Sequence, residues 1–417
     1  MIERNLTLAV LAALADTPVV ALHGARQTGK STLAQAIATT AHPARYYTLD
    51  DSDVLSAVRD DARAFLDGLD GPVVIDEIQR APQLLLAVKA AVDRDRKPGR
   101  FLLTGSAQLM ALPRLADTLA GRIEVLTLHP FTQGELAGVR ESLIDRLFGD
   151  AALTGAPDSE IAPAQGRSQL IDRVVAGGFP EAVSRSSQSR RSAWFRAYVE
   201  TATERTVRDV SEIAGLPDLR RLLAALAYRS GSTVSAADLS RTLAVPQTTL
   251  KRYLALLEIA FLVQRLPAWS ANVTSRLVKS AKIYVSDSGL LAHLLGADAR
   301  RLADEPMLFG QMLESFVVAE IDRQVGWADA PVRLFHFRTH AGREVDLVLE
   351  DDRGRVVGVE VKATASPSSA DFAGLRALAE AAGKRFHRGV VVCMAADAVP
   401  FGPMLQTLPL AALWEIR

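Results

Sequence analysis

The sequence predicts an α/β protein: a domain built on a parallel sheet, a helical middle part, and a smaller mixed α/β domain at the C-terminal end. Three stretches carry that expectation. "HGARQTGKST", His23 to Thr32, fits the phosphate-loop pattern G-x-x-x-x-G-K-[ST] from Gly24 to Ser31. "VVIDEI", Val73 to Ile78, is an apolar strand that ends in two acids. "GREVDLVLEDDRGRVVGVEVKA", Gly342 to Ala363, reads as two strands about a turn, with acids and a lysine along them. A chain of 417 residues exceeds one ordinary core, so several domains are expected. The expected division is 1–150 for the nucleotide domain and 151–215 for a linker and helical lid-like segment. A winged-helix domain follows over 216–300, and the C-terminal domain fills 301–417.

Composition narrows the class. Hydrophobic residues make up 49% and charged residues 23%, as in a folded, water-soluble chain. Lys+Arg and Asp+Glu both number 48, so any basic face for nucleic acid has to be local. The single cysteine, Cys393, excludes an internal disulfide framework and a thiolate zinc cluster, and fits a reducing cytoplasm. No apolar run reaches the roughly 18 residues of a membrane helix. "LTLAVLAALA", Leu6 to Ala15, follows Arg4 and has the look of a signal-peptide core. The strand "PVVALHG" and the phosphate loop come straight after it, so a short helix packed beside that strand is expected instead.

The elements follow in order. "PVVALHG", "RYYTLD", "PVVIDE", "RFLLTGS" and "IEVLTLHP" are apolar runs without alternation, the pattern of strands buried on both faces of a parallel sheet. "DAALTGAPDSEIAPAQGR", Asp150 to Arg167, is a linker by composition. Residues 168–215 are helical after the turn "GGFP", and 216–270 hold short helices ending in "AFLVQRLPAW". Mixed α/β returns over 305–417.

The phosphate loop demands a particular chemistry. Its backbone N–H groups, from Gly24, Ala25, Arg26, Gln27, Thr28 and Gly29 into Lys30, Ser31 and Thr32, are set to approach phosphate oxygens. Lys30 reaches the β- and γ-phosphates of ATP, and Ser31 ligates Mg²⁺. Asp76 holds the same Mg²⁺ through water, and Glu77 polarises the attacking water, which makes the expected chemistry hydrolysis.

These motifs resemble the AAA+ class of ATPases. That resemblance implies that "FLLTGS" lies between the acidic strand and the nucleotide strand, with Ser106, and Thr104 behind it, near the γ-phosphate. It also implies an arginine finger before the fifth strand, where "LAGRIEVLTLHP" places Arg122. Arg114 is the alternative finger, and a structural role closing a helix is the alternative for Arg122. A finger working on a neighbouring subunit implies a homo-oligomer. With "GGFPEAV" and "YVETATERTVRDVSEI", the whole chain is similar to bacterial and archaeal AAA-type ATPases that carry a C-terminal domain of unknown function.

The middle has a helix-turn-helix cadence from Ser235 to Leu266. Ala237, Leu239 and Leu243 give one apolar face, and Leu250, Tyr253, Leu254 and Leu257 another. Val245–Pro246 is the expected turn, and "FLVQRL" the start of a wing. Gln247, Thr248, Thr249, Lys251 and Arg252 point outward and are types that reach phosphates and base edges of DNA. Arg265, Arg276, Lys279 and Lys282 are candidates to extend that basic face. The open alternative is a winged helix used as a lid or a protein contact.

At the C-terminal end, Asp346 sits in one strand, while Glu360 and Lys362 share a face of the next. Register across the turn at Asp351 to Gly354 brings Asp346 toward Glu360. Paired carboxylates bind Mg²⁺ or Mn²⁺, and the lysine helps activate water or steadies phosphate charge. Glu314, on an apolar helix upstream, is a candidate third acid. Acid on a helix, then Asp, then Glu-x-Lys resembles the PD-(D/E)XK superfamily, which implies a restriction-endonuclease-like fold. Val345 stands before the first acid in place of proline. Whether cleavage is retained stays open. His340, the histidine nearest these acids, reads as a loop residue. The combined expectation is an ATP-hydrolysing protein that acts on DNA through a winged helix and a nuclease-like domain. The alternative is an ATP-driven DNA-binding or protein-remodelling switch with that domain silent.

Overall fold

The computed structural model describes residues 2–106, 119–150, 153, 166–210 and 216–415. Arg114 lies outside the described residues. The first sheet holds β1 (Val19–His23), β2 (Arg45–Thr48), β3 (Val73–Asp76), β4 (Phe101–Gly105) and β5 (Ile123–Thr127), all parallel in the order β2-β3-β4-β1-β5. Every residue of β1, β3 and β4 is buried, as runs without alternation require. Helices Thr7–Asp16 and Lys30–Thr39 cover one face through Val10, Leu14, Leu33 and Ile37. Helices Ser52–Asp60, Ala62–Asp67 and Leu84–Arg94 cover the other through Leu55, Val58, Leu66, Leu85 and Val88. The apolar run after Arg4 is therefore a helix against β1, and its buried side chains are Val10, Ala13 and Leu14.

Register then sets the site. Val19 stands beside Phe101, and Phe101 beside Val73. The three strands therefore start level and end within one residue of each other, and the phosphate loop, Asp76 and Ser106 gather at one edge of the sheet.

In the middle, helices Arg167–Ala176 and Pro180–Val183 flank the Gly177–Gly178 turn, and the long helix Gln188–Val210 follows. Beyond helix Leu216–Ala227 lie β6 (Ser232–Thr233), helices Ala236–Leu243 and Gln247–Ile259, then β7 (Val263–Leu266) and β8 (Lys282–Val285). The strands form an antiparallel sheet in the order β6-β8-β7. The turn between the two helices starts one residue earlier than its proline suggests. Ala244 takes a left-handed backbone (φ 55°) and ends the first helix, and Pro246 leads into the second.

The C-terminal sheet contains β9 (Val332–Arg338), β10 (Glu344–Asp351), β11 (Val356–Lys362), β12 (Phe386–Cys393), β13 (Pro400–Gly402) and β14 (Leu405–Pro409). Its order is β13-β14-β12-β11-β10-β9. β9, β10 and β11 are antiparallel; β11, β12 and β14 are parallel. Helix Pro306–Gln324 packs on one face and helix Ala373–Ala382 on the other. One apolar core runs without a break from Leu143 through the middle helices to Trp414.

The parts meet at Arg323, whose side chain is buried. Its guanidinium donates to the Phe131 carbonyl (2.7 Å), to Glu320 (2.8 Å) and to Asp287 (2.9 Å). Asp287 also accepts from the Gly178 amide at 2.8 Å. A Cβ at Gly177 would collide with Asp287, and one at Gly178 with the Phe131 carbonyl. The glycines of "GGFP" are thus required by close approach, not only by the turn.

Truncating Arg323 to alanine leaves Asp287 and Glu320 buried without their cation. A loss of about 3–5 kcal/mol is expected. It would be read as a lower denaturant midpoint, with the methionine substitution less damaging; an unchanged midpoint would contradict this packing.

Candidate functional site

The phosphate loop is a tight cradle. Gly24 has φ 152° and lies against Leu128, where a Cβ would collide with the Leu128 carbonyl. Gln27 (φ 61°) and Gly29 (φ 93°) complete the winding that leads into helix Lys30–Thr39. Arg4 braces the loop from outside: it donates to the Thr28 carbonyl at 2.8 Å and pairs with Glu135 at 3.1 Å. The Lys30 ammonium is buried and folds back onto the Gly24 and Ala25 carbonyls at 3.1 and 2.7 Å. Burial pulls it down to about 8, against the raising effect of Glu77.

The two acids differ in setting. Asp76 ends β3, buried, and accepts from Ser31 at 3.0 Å, from the Tyr46 hydroxyl at 2.7 Å, and from Thr104. Glu77 follows in the left-handed region (φ 59°), a costly conformation for a non-glycine residue that turns its carboxylate along the sheet edge. Its carboxylate accepts from Gln79 and from Ser106 (3.3 Å), and Gln79 donates to Ser106 at 3.0 Å. Lys30, Ser31, Asp76, Glu77, Thr104 and Ser106 therefore stand together. Tyr46 and Gln79 were not expected. Gln79 had a weak signal, three residues after Asp76 in "DEIQR"; Tyr46 had none, because it comes from the neighbouring strand.

Arg122 is elsewhere. Its carbonyl accepts from the Val19 amide, which puts it at the opposite end of β1 from the loop. A five-residue strand, about 16 Å, separates the two edges. The side chain pairs with Asp93 at 2.6 Å. Arg122 thus lies far from the nucleotide edge of its own subunit. His23, just before the loop, bonds Thr127 at 2.8 Å and meets Phe261 edge-on at 5.4 Å between ring centroids. That ring contact links the nucleotide strand to the end of the helix-turn-helix unit.

On that unit's second helix, Gln247, Thr248, Lys251 and Arg252 are exposed and Thr249 is half-buried. The expected downstream extension of the basic face does not form. Arg276 is buried in a pair with Glu350 at 2.7 Å, and Lys282 is buried among acids. Arg265 pairs with Glu258, and Lys279 alone of the four is exposed without an ion pair among the described residues. These charges sit inside because carboxylates from the C-terminal sheet and its covering helix meet them, which a local reading of sequence does not reveal.

At the C-terminal sheet, Leu347 stands beside Val359, so Asp346 faces Glu360 across the hairpin. Asp346 Oδ2 accepts from the Val361 amide at 3.0 Å, and Lys362 bonds Glu360 at 2.7 Å. Glu314 comes in from helix Pro306–Gln324 and accepts from Tyr284 at 2.7 Å. Glu344, unexpected, joins at the start of β10. At the centre is the Lys282 ammonium, 3.0 Å from Glu314, 2.9 Å from Glu344 and 3.2 Å from Asp346. A cavity of about 520 Å³ opens beside them, with Arg338 at its wall. Burial, then Asp346, pushes Glu314 up to about 7 and Glu360 up to about 8. Burial works against the Lys282 charge, yet Asp346, Glu314 and Glu344 hold the ammonium above its ordinary range. Among the described residues, no group of three or more His, Cys, Asp and Glu side chains has the arrangement of a metal site. None of the described helices is long and apolar enough to cross a membrane.

Family models match three successive stretches of the chain. A family described as an AAA domain matches residues 16–137. Domains of unknown function match 167–301 (DUF8612) and 309–413 (DUF4143). The uncharacterized proteins Rv2008c of Mycobacterium tuberculosis and Mb2031c of Mycobacterium bovis are each 34% identical over 357 residues, 85% of this chain and 73% of theirs. Among solved structures, the Thermotoga maritima RuvB Holliday junction branch migration motor has a TM-score of 0.30 at 22% identity, over 63% of this chain and 87% of that one. A likeness that low decides nothing about this chain. The first part is an AAA-type P-loop domain on the strength of the family match and the phosphate loop.

Lys30 generates a pH dependence. Phosphate attracts the ammonium form, so nucleotide affinity is expected to fall once pH passes about 8. The ADP dissociation constant should be level below that point and rise by up to about tenfold per pH unit above it. The Lys30→Ala chain should lack the rising limb; the same profile in both would contradict the assignment.

Proposed function

This chain belongs to the family of the mycobacterial protein Rv2008c and carries an AAA domain, and we propose that it hydrolyses ATP and uses that cycle to act on DNA. The observation that carries the reading is the gathering of Lys30, Ser31, Asp76, Glu77 and Ser106 at one edge of a parallel sheet. The residues fit ATP with Mg²⁺. The loop backbone from Gly24 to Thr32 is wound for phosphate, and a hydroxyl and a buried carboxylate stand 3.0 Å apart beside it. In this reading Lys30 leaves the loop carbonyls for the β- and γ-phosphates, and Ser31 and Asp76 hold Mg²⁺. Bound ATP supplies the phosphoryl group to be transferred. Glu77 then accepts a proton from the attacking water, and Ser106 with Gln79 fixes the orientation of its carboxylate. Arg122, on the far edge, serves a neighbouring subunit, which makes the working form a homo-oligomer.

The DNA contact is assigned to Thr248, Thr249, Lys251 and Arg252, which the helix-turn-helix unit presents outward, with the three-stranded sheet as its wing. The C-terminal domain is read as nuclease-like in fold, with Glu314, Asp346, Glu360 and Lys362 as its inherited site. Neither Mg²⁺ nor Mn²⁺ fits that site as it stands, because an ammonium is at its centre. That observation favours the second reading, a DNA-bound ATP switch whose nuclease-like domain is silent in this conformation. An ATP-driven factor of this kind belongs in the cytoplasm.

ATP turnover with Mg²⁺, with and without DNA, tests the proposal. Glu77→Gln should reduce turnover at least about a hundredfold. Arg122→Ala should reduce it about a thousandfold, with no loss of ATP binding. Lys251→Glu with Arg252→Glu should weaken DNA binding and lower its salt slope by about two. Turnover that depends on Glu77 but ignores DNA would leave an ATPase and remove DNA from the reading.

A further inference from the structure

The acids of the C-terminal sheet already have a cation, and it comes from another part of the chain. Lys282 opens β8, a strand of the three-stranded sheet beside the helix-turn-helix pair. Its side chain is 2% exposed. An ammonium has three N–H donors. Here three carboxylates, from three positions on two elements, surround it at 2.9–3.2 Å: Glu314 on the helix, Glu344 and Asp346 on β10. Tyr284, next on the same side of β8, donates to Glu314 as well.

The strand is held in place there. Just after β7, the Trp269 amide donates to the His336 carbonyl and the His336 amide to the Pro267 carbonyl, at 2.6 and 2.9 Å. His336 lies in β9, so the small sheet is tied to the edge of the large one. Three of the carboxylate oxygens that would have to ligate a divalent ion at about 2.1–2.6 Å, one each from Glu314, Glu344 and Asp346, face the ammonium instead. A doubly charged ion among them would stand within a few ångströms of a fixed positive charge. One acid remains unsatisfied: Glu360 Oε2 is buried, borders the same cavity and has no hydrogen-bond partner. Four carboxylates, Glu314, Glu344, Asp346 and Glu360, line the cavity with three cations, Lys282, Lys362 and Arg338, and of these cations only Lys282 bonds more than one of the acids.

We propose that Lys282 is the resident cation of this cluster and excludes divalent metal from it, so that the site accepts Mg²⁺ or Mn²⁺ only when β8 withdraws. Movement of the helix-turn-helix unit away from the C-terminal sheet would take Lys282 out of the cluster. The acids Glu314, Asp346 and Glu360, with Glu344, would then face the cavity without it. The inference rests on the nuclease-like reading only for the kind of ion admitted, not for what the site does with it.

Manganese binding to the full chain, followed by the loss of the free Mn²⁺ resonance signal, tests this. Asp76→Asn is carried in every protein to remove the metal site beside the phosphate loop. The parent should show no Mn²⁺ site that Asp346→Asn removes. Lys282→Met should gain one site, at least tenfold tighter than anything in the parent, and lose it again when Asp346→Asn is added. Lys282→Arg should keep the site closed. A Lys282→Met chain with native circular dichroism and no added ion would overturn the proposal. So would a parent that loses an ion on Asp346→Asn, a comparison that needs no Lys282 variant to fold. DNA cleavage is scored separately. An ion gained without cleavage upholds the lysine assignment and counts against the nuclease reading alone.

Discussion

One buried guanidinium holds the three parts of this protein in a common frame. Arg323 bonds a carbonyl from the segment after the nucleotide sheet, a carboxylate from the start of the helix that follows β8, and a carboxylate one turn back on its own helix. Buried charge is costly unless its partners are complete. Each part therefore loses its partner if any other part shifts. The Gly177–Gly178 turn, pressed between Asp287 and Phe131, extends the same constraint to the middle helices.

The helix that carries Arg323 also carries Glu314. The two are nine residues apart, about 14 Å along the axis, so one rigid rod joins the frame to the acid cluster. At the other end of the frame, Arg4 touches the phosphate loop and Glu135, while the Gln133 amide donates to Glu320 at 2.8 Å. The phosphate loop, the helix-turn-helix unit and the acid cluster thus share contacts with few elements between them. His23 against Phe261 is the most direct of these, a strand-end ring beside the nucleotide loop meeting the residue that closes the second helix. Such a chain of packed groups is a means of coupling, and it needs two arrangements of the same elements to act as one.

Much of this was legible in the sequence where the signal is local. The phosphate loop is a backbone shape encoded in eight residues, and the apolar runs around it allow little except a parallel sheet. The convergence of Asp346 and Glu360 was readable because a short hairpin fixes register. Local sequence assigns Lys282 and Arg276 to a solvent-facing basic surface, and the fold buries both side chains. Isolated positive charges are assigned to water by default, and their partners, Glu314, Asp346 and Glu350, lie 32 to 74 residues away. Tyr46 and Arg323 were missed for the same reason: neither sits in a motif, and each acts through a long-range contact. The turn begins at Ala244 because that alanine takes the left-handed backbone, a conformation its residue type does not announce, whereas the proline signal lies two residues later.

The coupling from nucleotide to acid cluster is tested most directly by amide hydrogen exchange across the whole Glu77→Gln chain, with and without ATP. Altered protection is expected not only over 19–137 but also in β8 and in helix Pro306–Gln324. Changes confined to the nucleotide domain would contradict a frame that carries the ATP cycle to the C-terminal sheet.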